Sequence, residues 1–177
     1  MFLLEQSGGA SLVQWFALWP GSDFQPWQLV TYSFLHGGIG HIFFNMLGLY
    51  MFGSDIERLF GTRFYLAYYF ASVVVAGATH MVITGLMGAA ATPMVGASGG
   101  VYGLLLAFGW YFPQRRVVLL FPPIPMAART FVIVFGVLEL FFGVTGTQAG
   151  VAHFAHLGGM LGGWLMIEYR RRRFTRR

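Results

Sequence analysis

The sequence predicts an all-α fold, a polytopic bundle of membrane-spanning helices, on three observations. Hydrophobic residues fill 56% of the 177 positions, charged residues only 10%, and the mean hydropathy is +0.65. A soluble domain carries about a quarter charged residues, so this excess of apolar surface has only lipid to face. The apolar residues fall into five runs that read as helices, near 41–60, 64–87, 98–112, 130–144 and 150–169. Finally, the 11 basic residues are all arginines, and they sit only in alternate connecting segments and in the tail. Cysteine is absent, which excludes disulfides and thiolate metal sites.

Taken in order, Met1-Phe2-Leu3-Leu4 is apolar but lacks a basic n-region and is closed by Glu5 and Gln6. No cleavable signal peptide is read there. It is read as the tail end of a spanning helix largely missing from this chain. Residues 11–19 form only half a span before Pro20-Gly21, so they are expected to be an interfacial helix or packed loop within an external loop over 7–40. Residues 113–129 contain Pro122-Pro123 and Pro125 and are expected to be a cytoplasmic loop. No internal repeat is found, so 1–177 is read as one transmembrane domain ending in a basic tail over 170–177.

Arg58 and Arg63 follow the first of these spans, and Arg115, Arg116 and Arg129 lie between the third and fourth. The other six, Arg170 to Arg173, Arg176 and Arg177, form the tail. Alternating the spans puts all of them on one face, which the positive-inside rule makes cytoplasmic. The C-terminus is therefore expected in the cytoplasm. Arginines in such positions set topology and meet anionic lipid, so no nucleic-acid partner is expected.

Polar side chains in an apolar bundle are functional candidates because they cost free energy unless paired. They are His41, Asn45, Ser98, Tyr102, Glu139, His153 and His156. His41 and Asn45 are one turn apart at the external end of their helix and share a face. The run from Ser98 to Phe112 spans only about 22 Å, less than the hydrocarbon core, so Ser98 should begin below the external surface. His156 should lie about 9 Å down a helix entering from the same side. Gly99 with Gly103, Gly158 with Gly162 and Gly159 with Gly163 are small-xxx-small pairs that let helices approach closely.

A serine hydroxyl becomes a nucleophile when a neutral histidine takes its proton. Asn45, His41 and the backbone N–H of Ser98 at a helix start are suitable donors for an oxyanion. No aspartate lies in the external part of a span, so a Ser–His dyad is expected rather than a triad. Spacing leaves both His153 and His156 open as the base, the deeper one matching Ser98 better. Gly96-Ala97-Ser98-Gly99-Gly100 also fits G-x-S-x-G, although the strand–turn–helix context of that motif is missing.

Over residues 27–169 the chain resembles the rhomboid intramembrane serine proteases, of bacterial type. The motifs are Gly96-Ala97-Ser98-Gly99, His41-Ile-Phe-Phe-Asn45 and Ala155-His156-Leu-Gly158-Gly159, with Glu57 and the Pro26-Trp27…Thr31…His36 approach. Where many members carry Trp-Arg in the first external loop, this chain has Trp27-Gln28. The resemblance implies a six-helix core, Ser98 as nucleophile and His156 as base. It implies Asn45 and His41 at the oxyanion hole, Tyr102 stacked on His156, and Gly96 and Gly99 supporting the nucleophile. The substrates it implies are transmembrane helices of other proteins, cut near the external leaflet of the inner (plasma) membrane.

Glu139 is read as a neutral, hydrogen-bonded structural group or part of a substrate gate, since no charged partner lies in the spans. His36 is read as bracing the loop. The histidines lack H-E-x-x-H spacing, so neither a metal nor any cofactor is expected. The rival readings are a catalytically silent helix-binding adaptor or chaperone and, third, a transporter, which would show repeat symmetry.

Overall fold

The computed structural model describes residues 11–88, 92–119, 122–146 and 152–175. The expectations for residues 1–6 and for the start of the last helix at 150 lie outside them. A helical turn α1 (11–16) leads into α2 (Gln28–Thr31) and a 3₁₀ turn, Tyr32–Phe34. A long rod follows: α3 (Ile39–Gly48), a π-helical turn (Leu49–Gly53) and α4 (Ser54–Phe60). Then come α5 (Thr62–Met87), α6 (Ser98–Tyr111), α7 (Ala128–Thr145) and α8 (His153–Thr175).

Glycines with positive φ end several of these elements, because only they adopt that backbone without strain. Gly61 (φ 75) separates α4 from α5, and Gly88 (φ 58) closes α5. The segment over 113–129 departs from the loop expected there. Val117 and Val118 sit in β1 (Arg116–Val118), which pairs antiparallel with β2 (Pro125–Ala127) in the register Val117↔Met126. Branched side chains favour the strand, and Pro125 is tolerated at its edge because its missing N–H costs nothing there.

α6 is the central helix. Gly99, Gly100, Gly103, Leu104, Leu105, Ala107, Phe108 and Gly109 are all buried. Its two main neighbours reach it through glycine. A side chain added at Gly159 of α8 would fall on the Gly99 carbonyl, and one at Gly99 would stand 2.5 Å from the Ala76 methyl of α5. The second glycine face of α8 meets α5, where a Cβ at Gly162 would lie 2.9 Å from the Val75 Cβ. Because Gly99 packs beside Ala76, the start of α6 lies about 16 Å short of the Met87 end of α5.

Lipid accounts for the outside. α5 and α7 are each long and apolar enough to span a bilayer, yet only 22% and 17% of their apolar windows are buried by protein. On α7, Ile133, Val137, Leu140, Phe141 and Val144 are exposed. Such a belt is stable only in a non-aqueous surround, and the fold is that of a helical membrane bundle.

The end of the bundle away from Ser98 is tied by arginines. Arg115 pairs with Asp55 at 2.7 Å, and the Arg170 guanidinium lies 4.6 Å from the Phe60 ring centroid. At the other end the segment before α3 is pinned to the bundle. Leu18 and Met94 exchange backbone hydrogen bonds of 3.0 and 2.9 Å, and the Tyr32 hydroxyl donates to the Val73 carbonyl of α5 at 2.8 Å. Gln28 is buried, and its Oε1 accepts from the backbone N–H groups of Trp19 and Gln25. The Trp27-Gln28 pair thus braces this segment with an uncharged amide.

Gly159→Ala sets a methyl onto the Gly99 carbonyl and is expected to cost about 1–3 kcal/mol of stability. Gly85→Ala, where a Cβ meets nothing within 4 Å, is expected to cost none. Thermal melting of the two variants in detergent checks the contrast.

Candidate active site

Ser98 is the first residue of α6, and the loop before it is shaped by Gly96. That glycine has φ 125, and a Cβ on it would lie 2.7 Å from the His41 ring. Its N–H donates to the Tyr32 carbonyl at 3.0 Å, so the pinned segment sets the height of the serine. Ser98 is half-buried, and its Oγ lies 2.8 Å from His156 Nε2 in the first turns of α8. Of the two histidines that spacing leaves open as the base, His156 is the one that meets Ser98.

Tyr102, one turn along α6 from Ser98, stacks on His156 with ring centroids 4.3 Å apart and planes 5° from parallel. Its hydroxyl donates to Glu139 Oε1. The other oxygen of that carboxylate, Oε2, lies 2.6 Å from His153 Nδ1 and 3.0 Å from His156 Nδ1. The second of these contacts is short but off-line, so it is an electrostatic pairing and not an aligned hydrogen bond. Glu139 is thus hydrogen-bonded, as expected, and two histidines of α8 flank its carboxyl, which the absence of a charged partner in the spans did not foresee. The sequence did carry a signal for this: Glu139 is the only acidic residue inside the apolar run 130–144.

His41 and Asn45 wall the same cavity as Ser98 and His156, a space of about 820 Å³ that continues between α3 and α7 to the β1 strand. Asn45 is buried and spends one N–H on the His41 carbonyl at 2.9 Å, leaving the other. His41 Nδ1 accepts from the Gly37 N–H at 3.3 Å, which leaves its proton on Nε2. Gly99 keeps the serine end of α6 against α5 and α8, as described above.

Donor atoms of Glu139, His153 and His156 lie within 4.8 Å of one another, a spacing that a metal ion can bridge. His36 pairs edge-on with His41 at 5.2 Å, while His153 and His156 stand together with Glu139.

Residues 23–173 match the family model for the rhomboid domain. The chain belongs to the rhomboid family. It is 33% identical over 146 residues to the RHOMBOID-like protein 12, mitochondrial, of Arabidopsis thaliana, covering 74% of this chain and 42% of that protein. It is 28% identical to the Rhomboid protease GluP of Bacillus subtilis over 92% of this chain and 31% of GluP. Against the Rhomboid protease GlpG of Pectobacterium atrosepticum the figures are 29%, 93% and 56%. The chain thus spans less than half the length of the first two of these rhomboid relatives. Of the rhomboid motifs read from the sequence, Gly96, Ser98, Gly99, His41, Asn45, Ala155 and His156 wall one cavity, whereas Glu57 and the Pro26-Trp27…Thr31…His36 approach do not line it.

Outside the helices, His36 is 5% exposed, and its imidazole is held below the usual histidine range, by burial first and by the nearby charge of His41 second. An imidazole kept neutral in the fold stabilises it fully above the unfolded value of about 6.5, and that stability is lost as pH falls below it. The drop in melting midpoint between about pH 7.5 and pH 5.5 is expected to be smaller in His36→Gln than in the parent chain.

Proposed function

We propose that this rhomboid is an intramembrane serine endopeptidase acting through Ser98 and His156 without a cofactor. The observation that carries this reading is the 2.8 Å contact between Ser98 Oγ and His156 Nε2 at the sunken start of α6, open to a cavity of about 820 Å³. Ser98 Oγ attacks a peptide carbonyl carbon while its proton passes to His156 Nε2. The C–N bond then breaks, the amine leaves with that proton, and water returns the acyl-enzyme to free serine by the same relay. The free N–H of Asn45, Nε2–H of His41 and the backbone N–H of Ser98 supply donors for the oxyanion. Stacking on Tyr102 keeps the base from turning out of the attack line.

The substrates of this reading are transmembrane segments of other membrane proteins. The arginine-free end, where Ser98 lies, is proposed to face outward, so cleavage falls near the external leaflet. The five long helical stretches are proposed to cross the inner (plasma) membrane, with residues 7–40 outside and the basic tail in the cytoplasm.

A fluorophosphonate probe is expected to label the purified protein in detergent at Ser98, and Ser98→Ala to abolish the label. Asn45→Ala should slow cleavage of a transmembrane substrate on the order of 10²-fold. Labelling that survives Ser98→Ala would remove the serine from this role.

A further inference from the structure

Three features lie beyond the dyad: the cavity between α3 and α7, the donor cluster of Glu139, His153 and His156, and the exposed apolar face of α7. The cavity belongs to the site already described, and nothing in the structure shows what other than lipid covers α7. The cluster carries more.

We infer that Glu139 is the third member of the catalytic constellation, a positioning residue that holds His156 in the tautomer the reaction needs. The inference rests on Ser98 and His156 being nucleophile and base. For His156 Nε2 to accept the Ser98 proton, that nitrogen must be bare, so the ring's own proton must sit on Nδ1. An N–H buried without an acceptor is costly, which would push the proton to the wrong nitrogen. His156 Nδ1 is buried, and Glu139 Oε2 stands 3.0 Å from it.

When His156 takes the serine proton it becomes a cation, and a carboxylate at that distance in an apolar surround favours the change strongly. The off-line approach in the resting structure does not argue against this, because catalytic hydrogen bonds often align only once substrate is bound.

The carboxylate is itself held. Tyr102 donates to Oε1, and His153 Nδ1 lies 2.6 Å from Oε2. Tyr102 also stacks on His156, so one side chain fixes the plane of the base and the place of the acid together. The titratable groups facing Glu139 are thus Tyr102 from α6 and His153 and His156 from α8. Among the described residues no arginine is paired with Glu139.

A purely structural glutamate would matter for melting and substrate affinity but not for the rate of acylation. Glu139→Gln keeps the size and an acceptor for Tyr102 while removing the charge. In the full chain it is expected to slow fluorophosphonate acylation and kcat on the order of 10²-fold, with KM nearly unchanged. Glu139→Asp should recover part of the rate.

Acylation by Glu139→Gln at the parent rate would overturn the inference while leaving Ser98 and His156 in place. A parent chain that is not labelled at Ser98 would overturn both. Histidine nitrogen NMR of the parent chain tests the same point without any variant. The neutral His156 ring, assigned by its loss in His156→Ala, should carry its proton on Nδ1, and a ring protonated on Nε2 would rule Glu139 out.

Discussion

Backbone approach between α6 and α8 governs this structure, because it sets the distance between two side chains that no sequence neighbourhood could bring together. Gly159 sits on the Gly99 carbonyl, and Gly163 on the Gly103 stretch one turn further along. In lipid there is no hydrophobic drive to press helices together, so close van der Waals contact between backbones has to supply the attraction. Any side chain at these positions would wedge the helices apart. The Ser98–His156 contact of 2.8 Å exists at one end of that seam and inherits its tolerance.

The second constraint is height. α6 is short, and its start is fixed from outside by the Gly96–Tyr32 backbone bond and by the Tyr32 hydroxyl on Val73. The polar groups of the site therefore lie among apolar helices but beside a cavity, which is where a membrane protein can hold non-helical backbone and polar side chains without stranding them. The same two elements, a glycine seam and a pinned loop, explain how the site is assembled. The membership of the chain in the rhomboid family agrees with an architecture in which the site is built by packing and not by a local motif.

Much of this was legible in the residues. Composition and apolar runs led to a helical membrane bundle, and polar residues stood out because the bundle has so few. The paired glycines foretold close packing, since their spacing needs no knowledge of partners. What stayed hidden depended on contacts between distant segments. Glu139 reads as a lone acid until α7 is placed against α6 and α8, where two histidines and a tyrosine receive it. The antiparallel pairing of β1 and β2 was masked by prolines, whose turn signal is stronger than two valines. Gln28 gave no sign that its amide would serve two backbone donors of its own loop.

The π-helical turn between α3 and α4 bears on how the two ends of the molecule communicate. Along an ideal α-helix the direction of residue 60 would be rotated by about 60° from that of residue 45. Yet Asn45, Phe52, Gly53, Ile56 and Phe60 are all buried. An offset of that size still falls inside a stripe about 100° wide, so one face stays buried from the cavity to the arginine-tied end. Asn45 in the cavity wall and Phe60 under the Arg170 guanidinium thereby share a single face. A π turn holds one residue more than an α turn, so this rod can lose a residue within Leu49–Gly53, become regular helix there, and keep both ends facing the bundle.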